Sequence, residues 1–447
     1  HGRLLQLWQG SHLVFPRWRA AGGVGGGGAP LYLCVTSHRI EAATTALVYR
    51  RLFAEAAAHG GPVTVVAAMA EMADQRLVKG LFAKAAPPAR VRLVLVRMAA
   101  TGKRDALAGA LVAVARSKPP PGAVVALMDG DTVLTEGTLA RTLPFFRSMP
   151  DLAGLTTDEE AVVRGGRTMR SWHRLRFAQR HLLMCSMGLG RTLLTMTGRL
   201  AFYRAEVATD PDFVRIVRDD ALDHWRLGRV PMLTGEDKST WFWLLERRLP
   251  MLYVPDARVV TIEHPPHPGF FRASTALMRR WFGNMIRASG RAIALGPVRV
   301  GFFPWWCLVD QRLSMWTPLI GPVAALLAAL MGEPVFLQVY VTWVLLTRLV
   351  QAALLRLFRD EVDGLWPALI YYNQVWGALI KTHALFHPAN QRWTRQRIRL
   401  VGPASARLHR AVGASIHALA LAALVVAVAF ATGTLVLPPF LLALPPG

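Results

Sequence analysis

The sequence is poor in cysteine and poor in acid. Three cysteines, Cys34, Cys185 and Cys307, are spread over 447 residues. They lie far apart with no metal-ligand spacing, which excludes a disulfide framework or a cysteine zinc site as the organising device. Asp and Glu number 28 against 52 Lys and Arg, a formal charge of +24. Such an excess suits nucleic acid, but here the basic residues flank apolar spans. That placement points to the cytoplasmic face of a membrane with anionic lipids, and not to nucleic acid. Charge is missing altogether from residues 313–332 and 411–447. Methionine is missing from the start: the chain opens at His1, so further N-terminal spans are expected ahead of it.

What is present is apolar and unevenly spread. The chain is 53% hydrophobic, with a mean hydropathy of +0.31, too high for an ordinary soluble enzyme. Most long uncharged runs lie beyond residue 312. Residues 1–29 read as a juxtamembrane helix and a glycine-rich linker, and 313–355 as two membrane helices. A third membrane helix is expected in 411–447. The basic-aromatic stretch 267–312 fits helices lying at the interface. Residues 356–410 are read as an interfacial or re-entrant segment at 364–386 and a basic loop, because a further span would place that loop outside.

Residues 30–266 look like an α/β domain. Apolar runs at 31–35, 62–66, 91–96 and 124–128 read as strands separated by helical stretches. Strand and helix alternating in this way predict a doubly wound parallel sheet, whose ligands sit at the carboxyl ends of the strands. Those ends carry Thr36, Ser37, His38 and Arg39, then Glu71 and Asp74, then Gly102-Lys103-Arg104-Asp105, then Asp129-Gly130-Asp131. A glycine turn, a lysine and a helix start favour phosphate, although it is not the P-loop pattern and a solvated Lys-Arg pair is the plain alternative. Asp129 and Asp131 fall on one side of an extended chain, where two hard oxygens suit a divalent cation carrying a diphosphate. A simple turn remains the other reading of that triplet. Further on, 155–160 reads as a strand end followed by an acidic turn, and Glu236-Asp237 as an acidic helix start that capping alone would explain.

Taken together, Asp-Gly-Asp at 129–131, Thr234-Gly235-Glu236-Asp237-Lys238 and Arg279-Arg280-Trp281 followed by membrane helices resemble the processive family-2 glycosyltransferases, the cellulose, chitin and hyaluronan synthases. The nearer branch is the bacterial mannuronan synthases, which polymerise alginate. The stretches that carry this are 35–40, 102–105, 129–133, 176–181, 196–199, 224–229, 310–316 and 392–396.

The resemblance implies a cytoplasmic GT-A (Rossmann-like α/β) domain with transmembrane and interfacial helices in the bacterial inner membrane. It implies that GDP-mannuronate is polymerised with inversion into β-1,4-linked polymannuronate, which is then exported. It makes Asp131 and Asp129 ligands of Mg2+ or Mn2+, and Asp237 the general base. Thr36, Glu71, Lys103, Asp129 and Arg280 would hold the nucleotide diphosphate. Gly198, Arg199 and Trp281 would hold the acceptor, and Trp393, Thr394 and Arg395 a gating loop, unless that loop is a plain basic membrane-surface segment. The family's Gln ahead of Arg-Trp is Leu277 here. Cyclic-di-GMP control would come from a separate PilZ-domain membrane subunit. A synthase using UDP-sugars, or a non-catalytic transporter or scaffold, are the competing readings.

Overall fold

The computed structural model describes residues 15–21, 28–99, 101–357, 359, 361–391 and 406–435. It divides into two units, one running to Leu308 and taking in Gln391, the other comprising residues 309–390 and the C-terminal helix.

The first unit opens with strict alternation: β1 Leu31–Ser37, α1 Ala42–Ala58, β2 Val63–Met69, α2 Met72–Ala85, β3 Val91–Arg97, α3 Lys103–Arg116 and β4 Val124–Asp129. Every residue of β1 is buried, and β2 and β4 are nearly so. Continuous Val/Leu/Ala runs of this kind fit strands covered by helices on both faces. β3 alternates buried and exposed positions instead, as an edge strand does. All four are parallel, in the order β3-β2-β1-β4.

The second half of the unit breaks that pattern. It holds β5 Thr132–Leu134, β6 Gly154–Val163, α4 Arg167–Gly188, β7 Leu200–Arg204, the hairpin β8 Ala221–His224 and β9 Gly228–Pro231, α5 Glu236–Glu246, β10 Met251–Glu263 and α6 Phe270–Ala294. β7 enters antiparallel between β4 and β6, and the sheet continues through β10 to β5. The sheet is therefore mixed, with the expected parallel arrangement confined to its first four strands. A short apolar run such as Leu200-Ala201-Phe202-Tyr203 announces a strand without announcing its direction.

A second difference lies at 155–160, where no turn forms and β6 runs straight through the acids. Asp158 and Glu159 are buried, which is tolerable because both are paired. Asp158 accepts from Tyr253 Oη at 2.9 Å, and Glu159 binds Arg180 and Arg199. Leu33, Val65, Ala126, Phe202 and Leu252 form part of one core beneath these strands.

After α6 come α7 Phe302–Leu313, α8 Thr317–Leu330, α9 Val335–Leu355, α10 Trp366–Phe386 and α11 Ala406–Ala431. Among the described residues, three helical stretches are long and apolar enough to cross a bilayer: Phe302–Leu330, Val335–Leu355 and Arg407–Ala431. α9 turns Phe336, Val339, Val341, Trp343 and Leu346 outward, a surface suited to lipid and ill suited to water. α10 is one unbroken helix of 21 residues, joined to α9 by Tyr340 Oη and Tyr371 Oη at 3.2 Å.

Candidate active site

In an open α/β sheet the ligand crevice lies where successive connections leave in opposite directions. Here that point lies between β1 and β4, and the register sets Thr36 directly opposite Asp129. A cleft of about 410 Å³ opens there, lined among others by Thr36, Lys103, Asp129, Asp131 and Asp237. The Asp129-Gly130-Asp131 turn is pinned to β1, because the Gly130 amide donates to the Thr36 carbonyl at 2.9 Å. A Cβ on Gly130 would lie 2.2 Å from Ser37 Oγ and 2.8 Å from that same carbonyl oxygen. Glycine is needed for space at this point.

The turn ahead of α3 splits its two cations. Lys103 reaches into the cleft, where its ammonium lies 2.5 Å from Asp129 Oδ1 and also contacts Glu236. Arg104 turns inward, donating to the carbonyls of Val217 at 3.0 Å and Thr234 at 3.3 Å and to Ser239 Oγ at 3.0 Å. Arg104 thus fixes the loop that presents Glu236 and Asp237, and only Lys103 is left for an anion. Burial alone would lower Lys103, but Asp129 and Glu236 outweigh it and hold the ammonium well above its usual range.

The three carboxylates respond differently. Burial pushes Asp129 up, and Lys103 counters it only in part because Asp131 and Glu236 repel the negative form. Burial would also raise Glu236, but Lys103 and Arg104 hold it low. Asp237 is raised, by burial first and by Glu236 next, against the cation of Lys238. A raised carboxylate facing a cleft is suited to taking a proton near neutral pH.

A second charged cluster meets the cleft at Arg199, Glu263 and Trp281. Arg199 donates to Glu159 at 3.0 Å and to Glu263 at 2.6 Å. Burial works against that guanidinium, yet the two acids raise it further. Gly198, just before it, lets the chain pass close to the charged cluster, since a Cβ there would lie 3.3 Å from Lys103 Nζ and 3.5 Å from Glu236 Oε1. Trp281 on α6 stacks on Trp172 of α4 with ring centres 5.7 Å apart. The Arg176 guanidinium lies 3.9 Å from the Trp281 ring centre. Burial lowers Arg176, and the neighbouring Arg199 and Arg180 lower it further. Among the described residues no ion pair of Arg176 with a carboxylate is found, so this wall carries positive charge beyond what its acids offset.

Thr36, Lys103, Asp129, Asp131, Gly198, Arg199, Asp237, Arg280 and Trp281 all line this one cleft. Glu71 does not, standing exposed at the start of α2. Trp393, Thr394 and Arg395 lie outside the described residues. Gln391, just ahead of them, is buried and clamps the strand leading to Asp237. It accepts from the Leu233 amide at 3.0 Å and donates to the Pro231 carbonyl at 2.8 Å. Sequence reasoning missed Glu159, Glu263 and Arg176, and gave Glu236 no role beyond its motif, because these roles depend on contacts across strands and helices. The one local signal was three acids in an otherwise apolar strand at 158–160.

Asp129 and Asp131 suit a hard divalent cation by donor chemistry, with carboxylate oxygens on one short turn. Burial first, then the negative charge of Asp131 and Glu236, raises Asp129, and a bound cation would offset that charge.

A family model described as glycosyltransferase like family 2 matches residues 29–284. The chain is 48% identical over 370 residues to the glycosyltransferase alg8 of Pseudomonas syringae pv. tomato, covering 83% of this chain and 75% of that one. It is 45% identical over 372 residues to the glycosyltransferase alg8 of Azotobacter vinelandii, with the same coverage. Among solved structures, a mannosyltransferase from Pyrobaculum calidifontis in complex with GDP-Man and Mn2+ aligns with a TM-score of 0.49 at 17% identity, covering 85% of this chain and 96% of that one. The parallel β3-β2-β1-β4 half, the antiparallel β7 and the carboxylates at the switch point form the GT-A arrangement. The chain belongs to the glycosyltransferase family 2 group and is a glycosyltransferase related to the Alg8 proteins.

Proposed function

We propose that the chain is a mannuronan synthase, extending β-1,4-polymannuronate from GDP-mannuronate at the bacterial inner membrane. The observation that carries the transferase chemistry is the convergence of Lys103, Asp129, Asp131 and Asp237 on one cleft at the sheet's switch point. The acidic sugar is supported by the Alg8 relatives and by the surplus arginine wall behind Trp281.

In this reading Asp131 and Asp129 hold Mg2+ or Mn2+, which when bound would offset charge on the departing diphosphate. Lys103 and Arg280 face the same diphosphate, and Thr36 the nucleotide. Trp281 offers a flat surface to the acceptor sugar, and Arg176, stacked behind that ring, adds positive charge to this side of the cleft. Asp237 accepts the proton of the acceptor 4-hydroxyl as that oxygen bonds to the anomeric carbon. The bond from that carbon to the phosphate oxygen breaks, GDP leaves with the electron pair, and the configuration inverts. Glu71, exposed on α2, has no part in this assignment. In this reading Trp393, Thr394 and Arg395 serve as the gating loop that closes over the donor. The apolar helices would anchor the domain in the bilayer with the site on the cytoplasmic side, and a PilZ-domain subunit would supply regulation.

A direct test of the acidic-sugar assignment is Arg176→Met assayed with oligomannuronate acceptors. Loss of the positive charge behind Trp281 raises the acceptor KM while the donor KM holds. An unchanged acceptor KM would remove the support that this wall gives to a polyuronate.

A further inference from the structure

The second unit holds a cluster that the transferase reaction does not use. His383 and His387 stand one turn apart at the end of α10, and His417 faces them from α11. One ring nitrogen from each lies within 4.8 Å of the others. The rings of His383 and His387 stack with centres 4.2 Å apart and 15° between planes. His417 belongs to an apolar stretch long enough to span a bilayer, where an ionisable side chain is costly unless it is partnered.

The hydrogen bonds of His387 and His417 assign the proton on each of these two rings. His387 Nδ1 lies 2.9 Å from the His383 carbonyl oxygen. A carbonyl only accepts, so Nδ1 carries the proton and Nε2 keeps its lone pair. His417 Nε2 lies 3.0 Å from Thr382 Oγ1. That hydroxyl already donates its one proton to the Leu379 carbonyl at 3.0 Å. It therefore accepts from His417, whose Nε2 carries the proton and whose Nδ1 keeps the lone pair. Phe386 stacks on the His417 ring, 5.4 Å between centres and 30° between planes, and limits its rotation. Metal-binding histidines are held in this way, the distal nitrogen donating to a carbonyl or hydroxyl while the other faces the ion.

We propose that His383, His387 and His417 form a binding site for a first-row transition cation, with Zn2+ as the best fit, tying α10 to α11. Imidazole nitrogens suit Zn2+ and neighbouring first-row metals, whereas Mg2+ prefers oxygen, so this site is chemically separate from the Asp129–Asp131 pair. Three nitrogens around Zn2+ lie roughly 3.3 Å apart and leave a fourth position for water. Ligation requires the stacked His383 and His387 rings to turn out of parallel, so that their in-plane lone pairs converge on one point.

The test uses untagged, detergent-purified protein stripped by a chelator, then dialysed against Zn2+ with excess Mg2+ present to fill the aspartate site. The wild type should retain about one Zn2+ per chain, and so should His409→Ala, a histidine of α11 outside the cluster. His387→Ala and His417→Ala should each retain less than about a fifth of that. Size-exclusion elution checks that the variants remain folded. Co2+ added to the wild type should give the intense visible absorption of a four-coordinate, nitrogen-rich site, a reading that needs no variant. A wild type that retains no Zn2+, or cluster variants that retain as much as His409→Ala, would overturn the proposal.

Discussion

Gly130→Ala tests how tightly the sheet and the chemistry are coupled. Gly130 does not have a left-handed backbone, so the cost of a side chain there is one of space. The new methyl would meet Ser37 Oγ at 2.2 Å, Ile40 Cδ1 at 2.8 Å and the Thr36 carbonyl oxygen at 2.8 Å. The serine and isoleucine can rotate away, but the carbonyl is backbone of β1. The ends of β1 and β4 must part by roughly 0.6 Å to restore an ordinary contact, a typical overpacking response costing about 1–3 kcal/mol. Parting them also stretches the 2.9 Å bond from Gly130 N to Thr36 O, worth about 1 kcal/mol. Asp129 and Asp131 flank the displaced residue, so their carboxylates move with it. Misplacement on this scale costs on the order of 10²-fold in rate. Gly80→Ala is the matching control: a Cβ on that α2 glycine meets nothing within 4 Å, and alanine is favoured there by about 1 kcal/mol. Initial rates of polymer formation and thermal melts of both variants in detergent provide the readouts. Gly130→Ala with wild-type rate would refute the coupling, as would Gly80→Ala failing as badly as Gly130→Ala.

The other predictions concern the base and its supports. Asp237→Asn should lower kcat by about 10²–10⁴-fold with the donor KM little changed, the usual range for losing a general base; a wild-type kcat would remove Asp237 from that role. Lys238→Met acts on the pH profile. The rate falls as pH drops through the Asp237 pKa, and the Lys238 cation favours the carboxylate form. Lys238, pushed down to about 8 by burial, stays charged below that pH. Removing it raises Asp237 further, so the acid limb of kcat should move to higher pH, and an unmoved or lowered limb would contradict the assignment. Gln391→Ala leaves the Leu233 amide without its partner and should cost roughly tenfold in activity. An activity equal to wild type would show that this clamp does not position the Glu236-Asp237 loop.

The first four strands were legible because Val/Leu/Ala runs alternate with charged helices, and parallel order follows from that alternation. Their ends were legible too: Thr36, Lys103, Asp129 and Asp131 line the cleft as their places at strand ends implied. Glu71 was placed by the same rule, but it stands exposed at the start of α2 and outside the cleft lining. Local reading stopped at β6. Acids at 158–160 look like a turn until Arg180 and Arg199 arrive from α4 and the start of β7 to neutralise Glu159. Nor could the sequence divide Lys103 from Arg104, since the carbonyls of Val217 and Thr234 and the Ser239 hydroxyl, all distant in the chain, draw the arginine inward. The histidine cluster was missed because its third member is 30 residues from His387 and only the packing of α11 brings it close.

In the proposed reaction this cleft polymerises an acidic sugar from a GDP donor. Membranes containing the chain, offered radiolabelled GDP-mannuronate, UDP-glucose or UDP-N-acetylglucosamine with Mg2+, test it most directly. Labelled polymer should form from GDP-mannuronate alone and be abolished by Asp131→Asn. Polymer formed only from the UDP-sugars would contradict it.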